Sequence, residues 1–492
     1  MALGQPPAPS QNELDAADLN GDGLVTVQDL VLLANTIAGG NRPPVADAGA
    51  SPESGLAGTA IQLDATRSFD LDGDALRYRW RQLHMDRFST EYVTENQAVL
   101  SDSMSATPTF TPEWPGKYRF ELEVADAAGL VERDTMDVLV GKDNARQLDV
   151  KGIIFGDVFG ELGGPRFDVT PEDPDSLAAV QSRAMDGAVR IGAGWSGIVA
   201  AAFYERINPL PVIRPFNNDL SLTSEADYAA IVGAAHAKGL KVFHEESVAP
   251  GFSLRPGELD SLEIMRTQPQ WWDRWFTEWE TYLLSRAELA EKYGVEMFSL
   301  MLGVEETFRP VAFPQYGERW RDIITQVRGR YSGKIAVTLF VDVGNLNFLE
   351  ALDVLVVDVA LGGVIEGRVS DVKDPTLDEL KGVIEEEFNV IENVASGIVP
   401  VHYILIATSD DGQIFPEPPL PPSERDFQEQ VRYFEAFFQA LEDEPWIQGM
   451  FSERWAWFDE MDYPGIFFDL ITGDSPRSKP AEEVIKLWFG IY

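Results

Sequence analysis

Two adjacent carboxylates, Glu305 and Glu306, close an otherwise apolar run, Gly294-Val-Glu-Met-Phe-Ser-Leu-Met-Leu-Gly-Val-Glu-Glu-Thr-Phe308. At the C-terminal end of a buried parallel strand such a carboxylate meets water and substrate; alone on a loop it is a helix cap or a solvated acid. The rest of the chain favours the first reading. Other strand-like segments end in Asp157 and Glu161, in Trp195, in His244-Glu245-Glu246, in Asp342, in Asp358, in Asp410 and Asp411, and in Glu453 with Trp455 and Trp457. Aromatic faces stack on pyranose rings and carboxylates hydrogen-bond hydroxyls, so this mixture suits a sugar. Two such acids, one kept protonated and the other ionised by different surroundings, suffice to hydrolyse a glycosidic bond.

These residues need one scaffold that gathers them. From about Lys142 onward, strand-like and helix-like segments alternate. The strands fall at Val150–Phe155, Ala188–Ala193, Lys241–Glu245, Met297–Gly303, Lys334–Val341, Val354–Val359, Pro400–Ala407 and Gly449–Trp455. The helical patterns between them run Ser176–Met185, Ser224–Lys238, Pro269–Tyr293, Tyr316–Tyr331, Phe348–Leu352, Thr376–Ala395, Glu424–Glu444 and Lys479–Phe489. This α/β repetition predicts a (β/α)8 TIM barrel, whose strand C-termini share one face. A doubly wound open sheet is the competitor, but no glycine-rich phosphate loop follows the first strand. Trp271, Trp272, Trp275 and Trp279 recur at helical spacing and read as core or helix surface.

At 492 residues the chain exceeds one ordinary core. Its net charge of -42 excludes a nucleic-acid phosphate partner and an anionic membrane surface. There is no cysteine and there are four histidines. Thiol catalysis and Cys-type zinc sites are therefore ruled out, and a His-rich metal centre is disfavoured. No apolar run is long enough to span a bilayer. The first residues lack the charged start and apolar core of a signal peptide, so an exported protein would have had its signal removed or replaced by Met1.

Toward the N-terminus, Asp18, Asn20, Asp22 and Asp29 stand at positions 1, 3, 5 and 12 of a loop, with Gly23 at position 6 and Leu24 at the backbone-carbonyl position. Converging oxygens around a sharp turn are what Ca2+ requires. With the following Leu30-Val-Leu-Leu-Ala-Asn-Thr-Ile, residues 11–40 resemble a single dockerin repeat, a short α-helical calcium loop; the resemblance implies structural Ca2+ and a possible cohesin-type partner. Residues 41–141 carry short alternating segments such as Ala60–Asp64, Leu76–Trp80 and Tyr118–Val124, separated by Gly, Pro and Asp turns, a β-sandwich pattern. Asp70-Leu-Asp-Gly-Asp-Ala-Leu, Pro115-Gly-Lys-Tyr118 and Val124-Ala-Asp126-Ala-Ala-Gly129 make this module resemble a PKD domain, an extracellular spacer.

From about Gly152 to its end, the barrel domain at 142–492 resembles the β-mannanases of glycoside hydrolase family 113, a retaining (β/α)8 group of the clan with its acid/base on strand four and nucleophile on strand seven. The resemblance rests on Ala234-Ala-His-Ala-Lys-Gly-Leu-Lys-Val242, Tyr293-Gly-Val-Glu-Met-Phe298, Trp320-Arg-Asp-Ile-Ile-Thr-Gln-Val-Arg328, Tyr331-Ser-Gly-Lys334, Leu352-Asp-Val-Leu-Val-Val-Asp358 and Ser475-Pro-Arg-Ser-Lys-Pro-Ala481. Gly303-Val304-Glu305 matches the family's Gly-Thr-Glu, which gives Glu305 the acid/base role with Glu306 as rival. Strand seven departs from the pattern: Tyr403-Ile-Leu-Ile-Ala-Thr-Ser-Asp410 has no Glu at the nucleophile position. Glu453 is the first substitute, taken to share strand parity with Trp455; Asp410 is second and Glu245 third. Arg190 and Arg454 are candidate inward partners for such an acid. Trp195, Trp455 and Trp457 are candidate sugar platforms, and His244, Glu245, Glu306 and Asp358 candidate sugar ligands.

The expectation is a secreted glycoside hydrolase that cleaves a β-linked polysaccharide or oligosaccharide with no catalytic cofactor. The alternatives are a carbohydrate-binding barrel without activity and an acid-lined metal-dependent hydrolase.

Overall fold

A computed structural model describes residues 17–19, 25–38, 40–84, 92–94, 96–141, 148–155, 177–215, 225–249, 267–303, 316–340, 346–360, 364–365, 367–407, 426–455 and 475–491. The chain divides into two compact units, one chiefly of Met1–His84 with Val93–Asp143, the other of Met85–Tyr92 with Asn144–Ile491.

In the first unit, helix α1 (Val27–Ala38) follows the acidic loop. The Asp29 carboxylate accepts the backbone N–H groups of Leu19 at 2.8 Å and Thr26 at 2.6 Å, together with the Thr26 hydroxyl. Asp18 is described, whereas Asn20, Asp22 and Leu24 lie outside the described residues. Among the described residues seven strands follow: β1 (Gly49–Ser51), β2 (Ser54–Leu56), β3 (Ile61–Asp64), β4 (Arg77–Gln82), β5 (Thr109–Phe110), β6 (Gly116–Ala125) and β7 (Val131–Gly141). They form a three-stranded sheet, β1-β3-β5, and a four-stranded sheet, β2-β7-β6-β4. One apolar cluster draws on both: Ile61, Leu63 and Phe110 from the first, Trp80, Tyr118, Phe120, Leu122 and Val124 from the second. The strict alternation along β6 buries every second side chain, as a strand with one solvated face must.

The second unit is a closed barrel of eight parallel strands: β8 (Val150–Phe155), β9 (Trp195–Arg206), β11 (Lys241–Ala249), β12 (Met297–Gly303), β13 (Lys334–Phe340), β14 (Val354–Ala360), β15 (Val401–Ile406) and β16 (Ile447–Trp455). The β16–β8 and β8–β9 ladders complete the ring. A short strand, β10 (Val212–Pro215), pairs antiparallel with the end of β9. Helices α2 (Leu177–Arg190), α3 (Glu225–Ala237), α4 (Pro269–Tyr293), α5 (Gly317–Arg328), a 3-10 turn (Leu349–Ala351), α6 (Leu377–Ala395), α7 (Phe427–Glu442) and α8 (Pro480–Phe489) alternate with the strands.

One strand departs from expectation. Helix α2 continues through Arg190, over the first half of the segment expected as strand two, and β9 begins only at Trp195. Gly192, in the left-handed region at φ 85, ends the helix, and the following small and apolar residues run extended.

Two apolar layers result from the two-residue period. Val150, Ile154, Trp195, Phe243, Met297, Ala336, Val354, Val356, Ile404 and Phe451 fill the barrel; their sequence neighbours face the helices. Gly152 leaves room for the Phe451 ring, which a Cβ there would meet at 2.2 Å. The tryptophans of α4 belong to the outer layer. Trp271 donates to the Ile207 carbonyl at 2.8 Å, Trp275 to the Tyr204 hydroxyl at 2.7 Å and Trp279 to the Leu300 carbonyl at 3.2 Å. Buried rings whose N–H groups are each satisfied are core, with no face left for a sugar.

Candidate active site

Parity decides which acids enter the barrel. On β11, Phe243 belongs to the interior cluster and Val242 and Val248 to the outer one, so Glu245 shares the inward side with Phe243. On β14, Val354 and Val356 are interior, which brings Asp358 inward; on β13, Ala336 does the same for Thr338. Phe451 sets the inward parity of Glu453 on β16. Glu245 stands at the middle of β11, and Thr338, Asp358 and Glu453 lie past the midpoints of their strands, toward the C-terminal face where barrel enzymes do chemistry.

Thr338 Oγ1 donates to Glu245 Oε1, and Ser299 Oγ on β12 lies 3.0 Å from Thr338 Oγ1. With the threonine proton spent on Glu245, the serine is the donor, giving a hydroxyl chain across three strands. Glu245 is 1% exposed and Asp358 2%, while Glu453 is partly exposed. Burial pushes Glu245 up to about 8; the Glu453 charge adds to the shift and the Thr338 hydrogen bond opposes it. Burial likewise holds Asp358 well above the usual carboxylate range, reinforced by Glu453 and Glu245 and opposed by Arg454. Near neutral pH Glu245 therefore carries its proton, and Asp358 is displaced in the same direction. Environments that separate acids in this way are how one pocket supplies both a proton donor and an anion.

The other face of β11 does structural work. His244 Nδ1 sits 2.9 Å from the Tyr228 hydroxyl, and its Nε2 sits 2.8 Å from Glu246 Oε1. Glu246 also accepts from Arg286 Nε at 2.6 Å and from the Tyr282 hydroxyl at 2.6 Å. Burial alone would raise Glu246, but Arg286, His244 and Tyr282 outweigh it and hold the carboxyl at about 2. Burial keeps His244 below its ordinary value despite the adjacent Glu246.

A depressed folded-state pKa contributes stability above the unfolded value, which is lost as pH falls through the folded one. The Glu246 contribution, on the order of 3 kcal/mol, is thus present above about pH 4.3 and disappears toward pH 2. Urea unfolding between those pH values is expected to show this slope, and Glu246→Gln to flatten it.

Several expected site residues are placed elsewhere. Trp195 is the first residue of β9, aligned with Lys241 and Gly152 at the N-terminal end of the barrel, away from the mouth. His244 packs against Tyr228 and Phe298 on the helix side, so no sugar hydroxyl reaches it. Trp455 does not share the parity of Glu453: Arg454 between them adopts φ 55, the β16–β8 register shifts there, and Trp455 is 0% exposed in the outer cluster. Arg190 closes α2 and lies 3.9 Å from Glu482, so it is not an inward partner. Glu305, Glu306, Asp410 and Trp457 lie outside the described residues.

Sequence reasoning missed Ser299, Thr338, Tyr282 and Arg286. The last two left a trace: both fall on the buried stripe of α4, where a charged side chain needs a partner.

A family model for Glycoside Hydrolase Family 113 matches residues 182–464, more than half of the chain. Among solved structures, one described as a GH113 beta-1,4-mannanase is 19% identical, covers 70% of this chain and 99% of its own, and superposes with a TM-score of 0.51. A GH113 beta-mannanase from Alicyclobacillus acidocaldarius is also 19% identical, with 71% and 99% coverage and a TM-score of 0.50. At that identity the two likenesses establish the fold. No curated protein matches the chain.

Proposed function

Because the chain belongs to glycoside hydrolase family 113, we propose that it cleaves a β-linked polysaccharide or oligosaccharide, β-mannan first among them, with paired carboxylates at the barrel mouth. The observation that carries this reading is the set of three inward acids, two of them buried and Glu453 partly exposed. Glu305 takes the acid/base role, giving its proton to the bridging oxygen and later drawing one from water. Glu453 takes the place of the nucleophile that strand seven lacks, with Asp410 as its rival. Retention needs these carboxyl groups about 5–5.5 Å apart, and a separation of about 6.5–9.5 Å would make the enzyme inverting. Glu306 and Trp457 are the proposed sugar contacts. The mannanase descriptions of the two superposed structures support β-mannan as the first substrate to try.

The N-terminal residues fit a secreted modular enzyme. A dockerin-like loop would hold Ca2+ through Asp18, Asn20, Asp22, the Leu24 carbonyl and Asp29, and a PKD-like β-sandwich would serve as spacer. Exposed Val27, Leu30, Val31 and Leu33 on α1 support a cohesin-type protein partner.

Reducing-end release by the full chain from β-mannan, β-glucan, xylan and sulfated algal glycans tests the reading. Turnover is expected on β-mannan or another neutral β-glycan. Binding to these glycans without release of any reducing end would replace the enzyme by a carbohydrate-binding barrel.

A further inference from the structure

Hydrolysis of a glycosidic bond uses two carboxyl groups, yet three lie inside the barrel among the described residues before Glu305 is counted. Glu245 and Asp358 are too deeply buried to touch a sugar arriving from solvent. Glu245 is nonetheless held in place, by Thr338 directly and by Ser299 through Thr338. Asp358 Oδ1 is buried with no hydrogen-bond partner among the described residues.

We propose that Glu245 is a positioning residue for Glu453, held by the Ser299–Thr338 hydroxyl chain at the inward level of the neighbouring carboxylates, which it meets as a hydrogen-bonding group. The proposal rests on the reading of this barrel as a glycosidase in which Glu453 reacts.

Every element around Glu245 bears on its charge. Glu453 raises its pKa from β16 and Thr338 lowers it from β13; Asp358 on β14 feels the Glu245 charge, and Ser299 on β12 reaches Glu245 only through Thr338. The β9 partner in register is Val199, and the β11 neighbours His244 and Glu246 face the helices. Arg454 is the one cation named among these groups, and the field it opposes is that at Asp358. Adjacent carboxyls in a desolvated site do not all ionise, and the most enclosed keep their protons. Once Glu245 ionises, near pH 8, Glu453 faces a buried anion and loses its placement.

The test combines activity with a titration that needs none. Glu245→Leu should lower kcat on the order of 10²-fold with little change in KM, the size of effect that misplacing a reacting group produces. Glu245→Gln, a shape mimic of the protonated acid, should recover most of that loss at neutral pH and remove the fall in activity above pH 8. Thr338→Val deletes a hydrogen bond that favours the ionised form, so it should move that fall to higher pH. In 13C-carboxyl NMR of glutamate-labelled full-length protein, one resonance should titrate near pH 8, be missing from Glu245→Gln and shift upward in Thr338→Val.

The proposal is overturned if Gln is as damaging as Leu, if the alkaline fall persists in Glu245→Gln, or if no carboxyl titrates above about pH 6. Should the NMR signals behave as stated while no glycan is cleaved, the glycosidase reading fails and the protonated state of Glu245 stands. Thermal unfolding of each variant separates these outcomes from a failure to fold.

Discussion

Glu453→Gln is expected to lower kcat by about 10³-fold or more while leaving KM close to its starting value. The amide keeps the size and hydrogen-bonding capacity of the side chain but supplies neither a nucleophile nor a base. Interactions that matter only in the transition state fall on kcat, whereas uniform sugar binding would fall on KM. Stability should not decline with activity. Glu453 raises the pKa of both Glu245 and Asp358, so its charge gains no stabilisation from either, and removing it forfeits no favourable charge interaction with them. Initial-rate kinetics with thermal unfolding of the same sample check both halves. A structural acid would show the opposite pattern, a lower melting temperature with kcat preserved.

Arg286→Met should destabilise the barrel by about 3–5 kcal/mol. Arg286 is the cation that compensates Glu246, and both are buried between β11 and α4. Removing one partner of such a pair leaves a charge with neither water nor counter-ion, which costs more than the pair itself contributes. A double replacement, Arg286→Met with Glu246→Leu, should therefore be less damaging than Arg286→Met alone. Urea unfolding of the three proteins followed by tryptophan fluorescence measures this, since the α4 indoles pack beside the pair. If the double variant were the least stable, the attribution to an uncompensated charge would be wrong.

The barrel was legible because parallel strands covered on both sides must be apolar throughout, and runs such as Val354–Ala360 are. Strand two was misplaced for a local reason. Its sequence is rich in alanine, and only the paired glycines Gly192 and Gly194 separate it from a true helix. That shift of a few residues moved Trp195 from the expected mouth to the opposite end of the barrel. The inward positions of Glu245 and Asp358 follow from the two-residue period alone. That period failed at Trp455, because the left-handed Arg454 inserts a register change that composition does not announce. His244-Glu245-Glu246 shows both sides of the matter: three adjacent polar residues look like one site, yet a strand sends the middle one inward and its neighbours to the helices. The Ser299–Thr338 chain was invisible because its members come from different strands and neither residue type draws attention alone.

On the proposed reading, carboxylates of this barrel divide the work of glycosidic cleavage, with Glu305 giving the proton and Glu453 serving as the anion. That division is tested most directly by comparing Glu305→Gln and Glu453→Gln on β-mannan and on an aryl β-mannoside whose phenolate departs without protonation. Glu305→Gln is expected to fail on mannan but regain bond cleavage on the aryl glycoside, while Glu453→Gln fails on both. Full turnover of mannan by either variant would contradict it.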